Sequence, residues 1–387
     1  MDNRKSTAPA VTTDVATVFV AIELSGTSWL AGLQTPRQER PGRHPLAAAD
    51  ALGLWALIER ERSALQRAGW ARVRVVTCYE AGRDGFWLHR FLVAQGAESF
   101  VVDPGSVEVN RRARRAKSDG LDLESLLRVV IRYDAGDRHH ARMVVVPSIG
   151  EEDARRPGRE RGRLLSERTA HSNRIQGLLA TQGCYGYRPL RGDRWARLAA
   201  LRGADGQALP AQLHEEIVRE LSRLEFVDGQ IRAVEKQRAA VLAAAPAEDD
   251  AARRVKDLRR LRGIDLEVAT TLVREVYYRP FANRRKVASY VGLAASPFRS
   301  GGMAHEQGIA KAGNRRARSM AIELAWLWLR HQPDSALSRW FHARLAGSES
   351  RRLKRILIVA LARKLVVALW RYLTADVPPE GARFKSA

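Results

Sequence analysis

Residues 111–122 read Arg111-Arg112-Ala113-Arg114-Arg115-Ala116-Lys117-Ser118-Asp119-Gly120-Leu121-Asp122, five cations running into two carboxylates three residues apart. Leu123, Leu126, Leu127, Val130 and Ile131 follow at helical spacing, which predicts a helix whose first turns carry Asp119 and Asp122 on one face. A carboxylate pair fixed in this way can hold a hard divalent cation, Mg²⁺ or Mn²⁺, through oxygen ligands. Arg111, Arg112, Arg114, Arg115 and Lys117 beside it can hold a phosphate backbone. Metal next to phosphate is the chemistry of phosphoryl transfer on nucleic acid. The same two acids would serve equally well as N-terminal caps, where the helix dipole favours negative charge.

Positioning such a pair takes a scaffold, and the residues ahead of it supply one. Residues 17–24 are apolar and β-rich and end on Glu23 and Leu24; Ser25-Gly26-Thr27 makes a turn, and residues 28–34 return as a partner strand. Residues 36–46 are polar and hold an edge strand with loops, and residues 46–68 read as a helix. Residues 72–79 form a clear strand ending at Glu80, residues 85–95 a helix and residues 99–103 another strand. Residues 143–147 read as one more short strand. This is an α/β layer domain. In an RNase H-like (RuvC-like) fold, adjoining strands and a packed helix bring strand-end acids such as Glu23 and Glu80 together with helix acids such as Asp119 and Asp122. Four carboxylates so placed repel one another unless cations neutralise them.

Beyond residue 150 the pattern turns helical. Residues 150–183 are charged, residues 184–212 are a connector richer in Gly and Pro, and residues 213–242 form a long amphipathic helix. Its stripe of Ile217, Leu221, Leu224, Val227, Ile231 and Val234 suits a coiled coil, including one between subunits of a dimer or tetramer. The run AAAPAEDDAA at 243–252 is the expected linker. The expected organisation is therefore an α/β RNase H-like domain over 1–150, a helical coiled-coil region over 151–252 and a mainly α domain over 253–387.

That last region holds a second candidate site. Ser296-Pro297-Phe298-Arg299-Ser300-Gly301-Gly302 precedes Lys311-Ala312-Gly313-Asn314-Arg315-Arg316-Ala317-Arg318. A serine between Arg299 and the cations Lys311, Arg315 and Arg316 can attack a phosphodiester, with the cations stabilising the developing negative charge. A Ser/Gly loop ahead of a helix capped by Asn314 explains the same residues without chemistry. Leu261-Arg262-Gly263-Ile264-Asp265 resembles a phosphate-binding helical hairpin, though Asp265 replaces its usual second glycine; a plain packing corner fits equally. Trp326, Trp328 and Trp340 read as core or interface anchors. His139, His140 and His305 have no ligand spacing. There is no P-loop, dinucleotide fingerprint or HExxH.

The 387 residues carry 66 Lys+Arg against 43 Asp+Glu, a net charge of +23. That field attracts polyanions, and arginine-rich charge favours bidentate phosphate contacts. Cys78 and Cys184 make neither a zinc pattern nor a disulfide framework, which suits a reduced cytoplasm. The first 14 residues lack the apolar core of a signal peptide, and the apolar stretch 356–370 is interrupted by Arg363 and Lys364, so no membrane association is expected.

Taken in order, Cys78-Tyr79-Glu80-Ala81-Gly82, Lys117-Ser118-Asp119-Gly120-Leu121-Asp122, Tyr290-Val291-Gly292-Leu293, Ser300-Gly301 and 308–315 (GIAKAGNR) resemble a family over nearly the whole length. The family is that of bacterial insertion-sequence transposases with a DEDD-type RuvC-like N-terminal domain and a C-terminal serine transposase domain, related to Piv-type DNA invertases and known as bridge-RNA-guided recombinases. The resemblance implies that Glu80, Asp119 and Asp122 match the second to fourth acids of the metal set. Glu23 stands where the family usually has aspartate, and Ser300 matches the nucleophile, with Ser296 its nearby rival. It implies donor and target DNA, a non-coding bridge RNA and a second subunit as partners, and a bacterial cytoplasmic, nucleoid-associated setting. A metal-dependent nuclease or junction resolvase with a structural Ser300, and a non-catalytic nucleic-acid-binding remnant, are the two other readings.

Overall fold

The computed structural model describes residues 15–106, 119–300 and 303–386; for Asp119, 297–300 and 303–307 it describes the backbone alone. The cations at 111–117 and Gly301 lie outside the described residues. The chain divides into two compact units, Met1–Val146 and Pro147–Ala387.

The first unit is built on a mixed five-stranded sheet of order β3-β2-β1-β4-β5. Its strands are β1 (Val15–Leu24), β2 (Ser28–Gln34), β3 (Gly42–Ala47), β4 (Arg72–Glu80) and β5 (Glu98–Val102). The hairpin β1–β2 and the pair β2–β3 are antiparallel; β1–β4 and β4–β5 are parallel. Side chains alternate faces along a strand, so β1 feeds two cores. Val18, Val20 and Ile22 pack with Val75, Tyr79 and Val101 under α1 (Ala51–Arg67) and α2 (Trp87–Ala94). Ala21 packs with Val76, Cys78 and Val102 under α3 (Asp119–Asp134), through Leu123, Leu126, Leu127 and Val130. The strand expected over 143–147 is absent. Met143 makes only an isolated bridge to Val102, and the Val144 amide donates to the Val101 carbonyl at 2.7 Å. Pro147 lacks an amide, so the ladder cannot run on through it.

The second unit is helical with one small hairpin. After α4 (Ile149–Asp153), capped by a reciprocal Ser148–Glu151 box, come α5 (Arg156–Ala180), α6 (Arg194–Ala199) and α7 (Ala211–Ala243). The stripe expected to serve an interface between subunits is buried inside the chain instead. Ile217, Leu221 and Leu224 pack on Ile175 and Leu179 of α5, and Arg168–Asp228 (3.7 Å) and Arg174–Glu220 (3.0 Å) zip the antiparallel pair. Then follow α8 (Asp250–Arg260), α9 (Leu266–Leu272), a π-helical turn (Val273–Tyr277) and α10 (Arg284–Tyr290). Next are the antiparallel strands β6 (Ala295–Ser300) and β7 (Met303–Ile309), and the helices α11 (Arg315–His331), α12 (Ala336–Leu345) and α13 (Arg351–Ala375). The α8–α9 corner is a packing corner. Asp265 caps α9 by accepting from the Val268 amide at 2.8 Å, and the Arg262 amide donates to the Arg383 carbonyl of the C-terminal segment at 3.0 Å. That amide is therefore not offered to a phosphate.

Candidate active site

In the first unit the parallel register of β1 on β4 runs to Ile22 opposite Tyr79. Glu23 and Glu80 lie one residue further on each strand, so they are neighbours at the strands' C-terminal ends, on chains about 4.8 Å apart. By alternation from Ala21 and Cys78, both project to the face that α3 covers. The direction of α3 follows from two contacts. The Cys78 thiol lies 3.4 Å from the Leu126 carbonyl, and Arg74, at the start of β4, donates to Asp134 at 2.8 and 3.2 Å. The helix thus runs opposite to β4. Asp122 stands about 6 Å along the axis before Leu126, and Glu80 about 7 Å beyond Cys78, both toward the same end. The backbone of Asp119 starts the helix at that end.

The sequence reading missed two cations here. A Cβ at Gly120 would sit 3.1 Å from the Arg43 guanidinium, and Arg43 also pairs with Glu124. A Cβ at Gly26, in the β1–β2 turn just past Glu23, would meet the Arg83 guanidinium. Only the fold brings these residues, from β3 and from the loop after β4, to the acids. Oxygen donors at this end suit Mg²⁺ or Mn²⁺. Among the described residues no three His, Cys, Asp or Glu side chains form a group able to hold a metal ion, and the Asp119 side chain lies outside them. Cys78 is fully buried, which pushes its thiol well above the usual range and makes it a packing residue.

In the second unit the region read as a Ser/Gly loop is the β6–β7 hairpin. Ser300 ends β6 opposite Met303, and Ser296 sits near the root beside a bulge between Ala295 and Pro297. The root is clamped at two glycines. Gly292 has φ +73°, where a Cβ would collide with the Ala312 carbonyl, and Gly313 has φ +107°, where one would collide with the Tyr290 carbonyl. The Asn314 amide donates to that same carbonyl at 2.9 Å, and the Asn314 side chain caps α11 through the Ala317 amide at 3.0 Å. Lys311 and Arg315 are exposed. Arg316 is turned inward, with its guanidinium 2.5 Å from the Gly158 carbonyl and 3.3 Å from Glu267. Nothing is described of the Arg299 side chain.

Against Asn314, just past the hairpin, lies a buried acid that the sequence reading did not single out. Glu275, in the π turn, is 3% exposed. It accepts from Arg159 of α5 at 2.9 and 3.1 Å and from the Asn314 side chain at 3.0 Å, tying three elements to the hairpin root.

The sequence profile of the transposase family IS116/IS110/IS902 matches residues 255–340, which hold the hairpin with Ser300 and the Lys311–Arg315 cations. A Sinorhizobium fredii protein named as a transposase, y4rJ, is 47% identical over 392 residues, covering 99% of each chain. The chain belongs to the IS116/IS110/IS902 family of transposases. A Coxiella burnetii relative, named the transposase for insertion sequence element IS1111A, is 25% identical over 308 residues, covering 78% of each chain. As a transposase the protein binds donor and target DNA and cuts and joins strands. No helix among the described residues of this transposase is long and apolar enough to cross a membrane.

The buried acids of the transposase's second unit make its stability pH-dependent. Burial pushes the carboxyls of Glu220, Glu267 and Glu275 up, but hydrogen bonds and arginine charges outweigh it: bonds to His171, Arg174 and Arg223 at Glu220, Arg238 and Arg161 at Glu267, and Arg159 with the Asn314 amide at Glu275. All three end below the usual carboxylate range. A depressed native pKa contributes stability that is fully present above the unfolded value, about 4.3, and lost as pH falls through the native one. The expected result is a melting temperature that drops steeply below about pH 4, with a shallower drop in Glu275→Gln. Parallel curves for the two proteins from pH 6 to pH 3 would exclude Glu275 as a contributor.

Proposed function

We propose that this transposase cuts DNA by a serine step. The Ser300 hydroxyl attacks a backbone phosphorus, gives up its proton, and displaces a deoxyribose oxygen that leaves with a proton. The phosphoseryl link keeps one ester for another, so religation needs no external energy source. Lys311, Arg315 and Arg299 offset the charge that builds on the phosphoryl oxygens. Glu23, Glu80, Asp119 and Asp122 are the ligands that would hold Mg²⁺ or Mn²⁺, which when bound supplies Lewis-acid stabilisation of phosphoryl charge. The acidic part of this reading is supported by the convergence of Glu23, Glu80 and the start of α3 at one end of the mixed sheet, and the serine part by the family match over the segment that holds the β6–β7 hairpin. That convergence supports an RNase H-like reading of the first unit.

The remaining partners come with the resemblance. A bridge RNA encoded by the element would pair with donor and target DNA, leaving the protein to hold backbone and duplex shape, which suits dispersed arginine charge. The basic run Arg111, Arg112, Arg114, Arg115 and Lys117 would hold that backbone next to the acids. A dimer or tetramer would bring the acids of one subunit to the serine of another. Because the α7 stripe is already covered by α5, such an assembly would use other surfaces.

The test is a covalent-adduct assay with the full chain, Mg²⁺, the element's flanking RNA and end-labelled junction DNA, resolved under denaturing conditions. A label travelling with the protein is expected. Cleaved DNA with no such adduct would replace the serine step with the nuclease reading.

A further inference from the structure

Helix α13 is chemically unlike the other long helices. Over its 25 residues it carries seven cations, Arg351, Arg352, Lys354, Arg355, Arg363, Lys364 and Arg371, and no acid. All seven are exposed. None forms an ion pair among the described residues, whereas α5 and α7 pair Arg161 with Glu235 and Arg174 with Glu220. A GC-rich genome can favour arginine over lysine, but it does not remove every carboxylate from one helix.

The geometry of the helix sorts these charges. Leu357, Ile358, Leu361, Leu365, Val366 and Leu369 face the core, and the Tyr277 hydroxyl pins that side by donating to the Val366 carbonyl at 2.8 Å. Arg352, Arg363 and Arg371 are spaced by 11 and 8 residues, which at about 100° per residue keeps them within an arc of about 100° on the side away from the core. They span about 29 Å along the axis, or about eight base steps of a duplex. Two lysines are held in place, Lys364 at the edge of this arc and Lys354 in the first turn on the side of Leu357 and Leu361. Lys354 Nζ lies 5.5 Å from the ring centre of Trp326 on α11, and Lys364 Nζ lies 4.6 Å from that of Trp340 on α12. Single-stranded nucleic acid is held by stacking bases on open aromatic faces. Here an ammonium group already covers each indole, which favours a phosphate ladder over unpaired bases.

We propose that the outer face of α13, centred on Arg352, Arg363 and Arg371 and bordered by Lys364, docks the sugar–phosphate backbone of duplex DNA. The match is one of charge and length without base readout. The proposal uses the family assignment but neither Ser300 nor the acids, so its failure leaves the cleavage reading standing.

The test is fluorescence anisotropy of a labelled 30-base-pair duplex of arbitrary sequence, titrated with full-length protein across a salt series. Four proteins are compared: wild type, Arg352→Gln/Arg363→Gln/Arg371→Gln, the charge-keeping Arg352→Lys/Arg363→Lys/Arg371→Lys, and the control Arg219→Gln/Arg232→Gln/Lys236→Gln on exposed positions of α7. Both glutamine triples lower the net charge by the same three units, from +23 to +20. The α13 glutamine triple is expected to bind at least about tenfold more weakly near 0.1 M salt, with a log–log salt slope shallower by about 2.7. The control should stay within about threefold. An Arg352→Lys/Arg363→Lys/Arg371→Lys protein should keep the wild-type slope, which separates lost charge from a damaged fold. Equal weakening in both glutamine triples, no weakening in the α13 triple, or a larger loss for a single-stranded RNA of the same length would overturn the proposal.

Discussion

Ser300→Ala is expected to abolish the covalent protein–DNA adduct, while Ser296→Ala leaves it within a few-fold of wild type. The two serines lie on one strand, four residues or about 13 Å apart. Ser300 ends β6 opposite Met303, while Ser296 is half-buried near the root, next to the bulge. A nucleophile needs an approach to the phosphorus, which a half-buried serine at the clamped root restricts. Removing the attacking oxygen leaves no atom to form the ester, so adduct formation should fall by at least about 10³-fold. A single hydroxyl lost at a strand end should move the melting temperature by no more than about 2 °C, which separates lost chemistry from lost fold. If adduct survives in Ser300→Ala and vanishes in Ser296→Ala, the nucleophile is Ser296. If it survives in both, neither serine carries the step.

How far the sequence could lead differs between the two units. Glu23 and Glu80 were legible because each closes an apolar β-rich run, and a strand end is readable from local pattern alone. The direction of α3 was not, because it rests on Cys78 meeting Leu126 and Arg74 meeting Asp134, contacts between residues 48 and 60 apart. The β6–β7 hairpin was hidden by its composition. Ser296-Pro297 and Gly301-Gly302 look like a loop, yet proline is admitted at a bulge and a Gly-Gly pair between two runs is itself a hairpin signal. The α7 stripe was plain, but a stripe announces only that it will be covered. Its partner α5 buries just Ser172, Ile175 and Leu179 over 25 residues, too weak an apolar pattern to be named in advance. One clue was available: Glu220 sits in line with Ile217 and Leu224, and an acid inside an apolar stripe needs cations and hydrogen-bond partners, which Arg174 and Arg223 provide together with His171.

The largest loss of stability from a single methyl group should come at Gly313. Its φ of +107° is costly for any residue with a Cβ, and the added carbon would run into the carbonyl of Tyr290, which is backbone and cannot swing aside. That carbonyl already accepts from the Asn314 amide at 2.9 Å, and Asn314 in turn donates to Glu275 and caps α11. A shift of Tyr290 would therefore disturb the hairpin root, the α11 cap and the bond to the buried acid together. Backbone strain of about 1–3 kcal/mol plus the collision gives a total near 4 kcal/mol for Gly313→Ala. At about 2–4 °C per kcal/mol for a unit of this size, the melting temperature should fall by roughly 8–16 °C. Gly308→Ala is the matched comparison. Its φ is +84° but nothing among the described residues lies within 4 Å of the added carbon, so strain alone remains, about 1 kcal/mol. Thermal unfolding of both variants by circular dichroism decides the point. Equal shifts would mean that conformational strain, and not the packing of Gly313 on Tyr290, fixes glycine at the hairpin root.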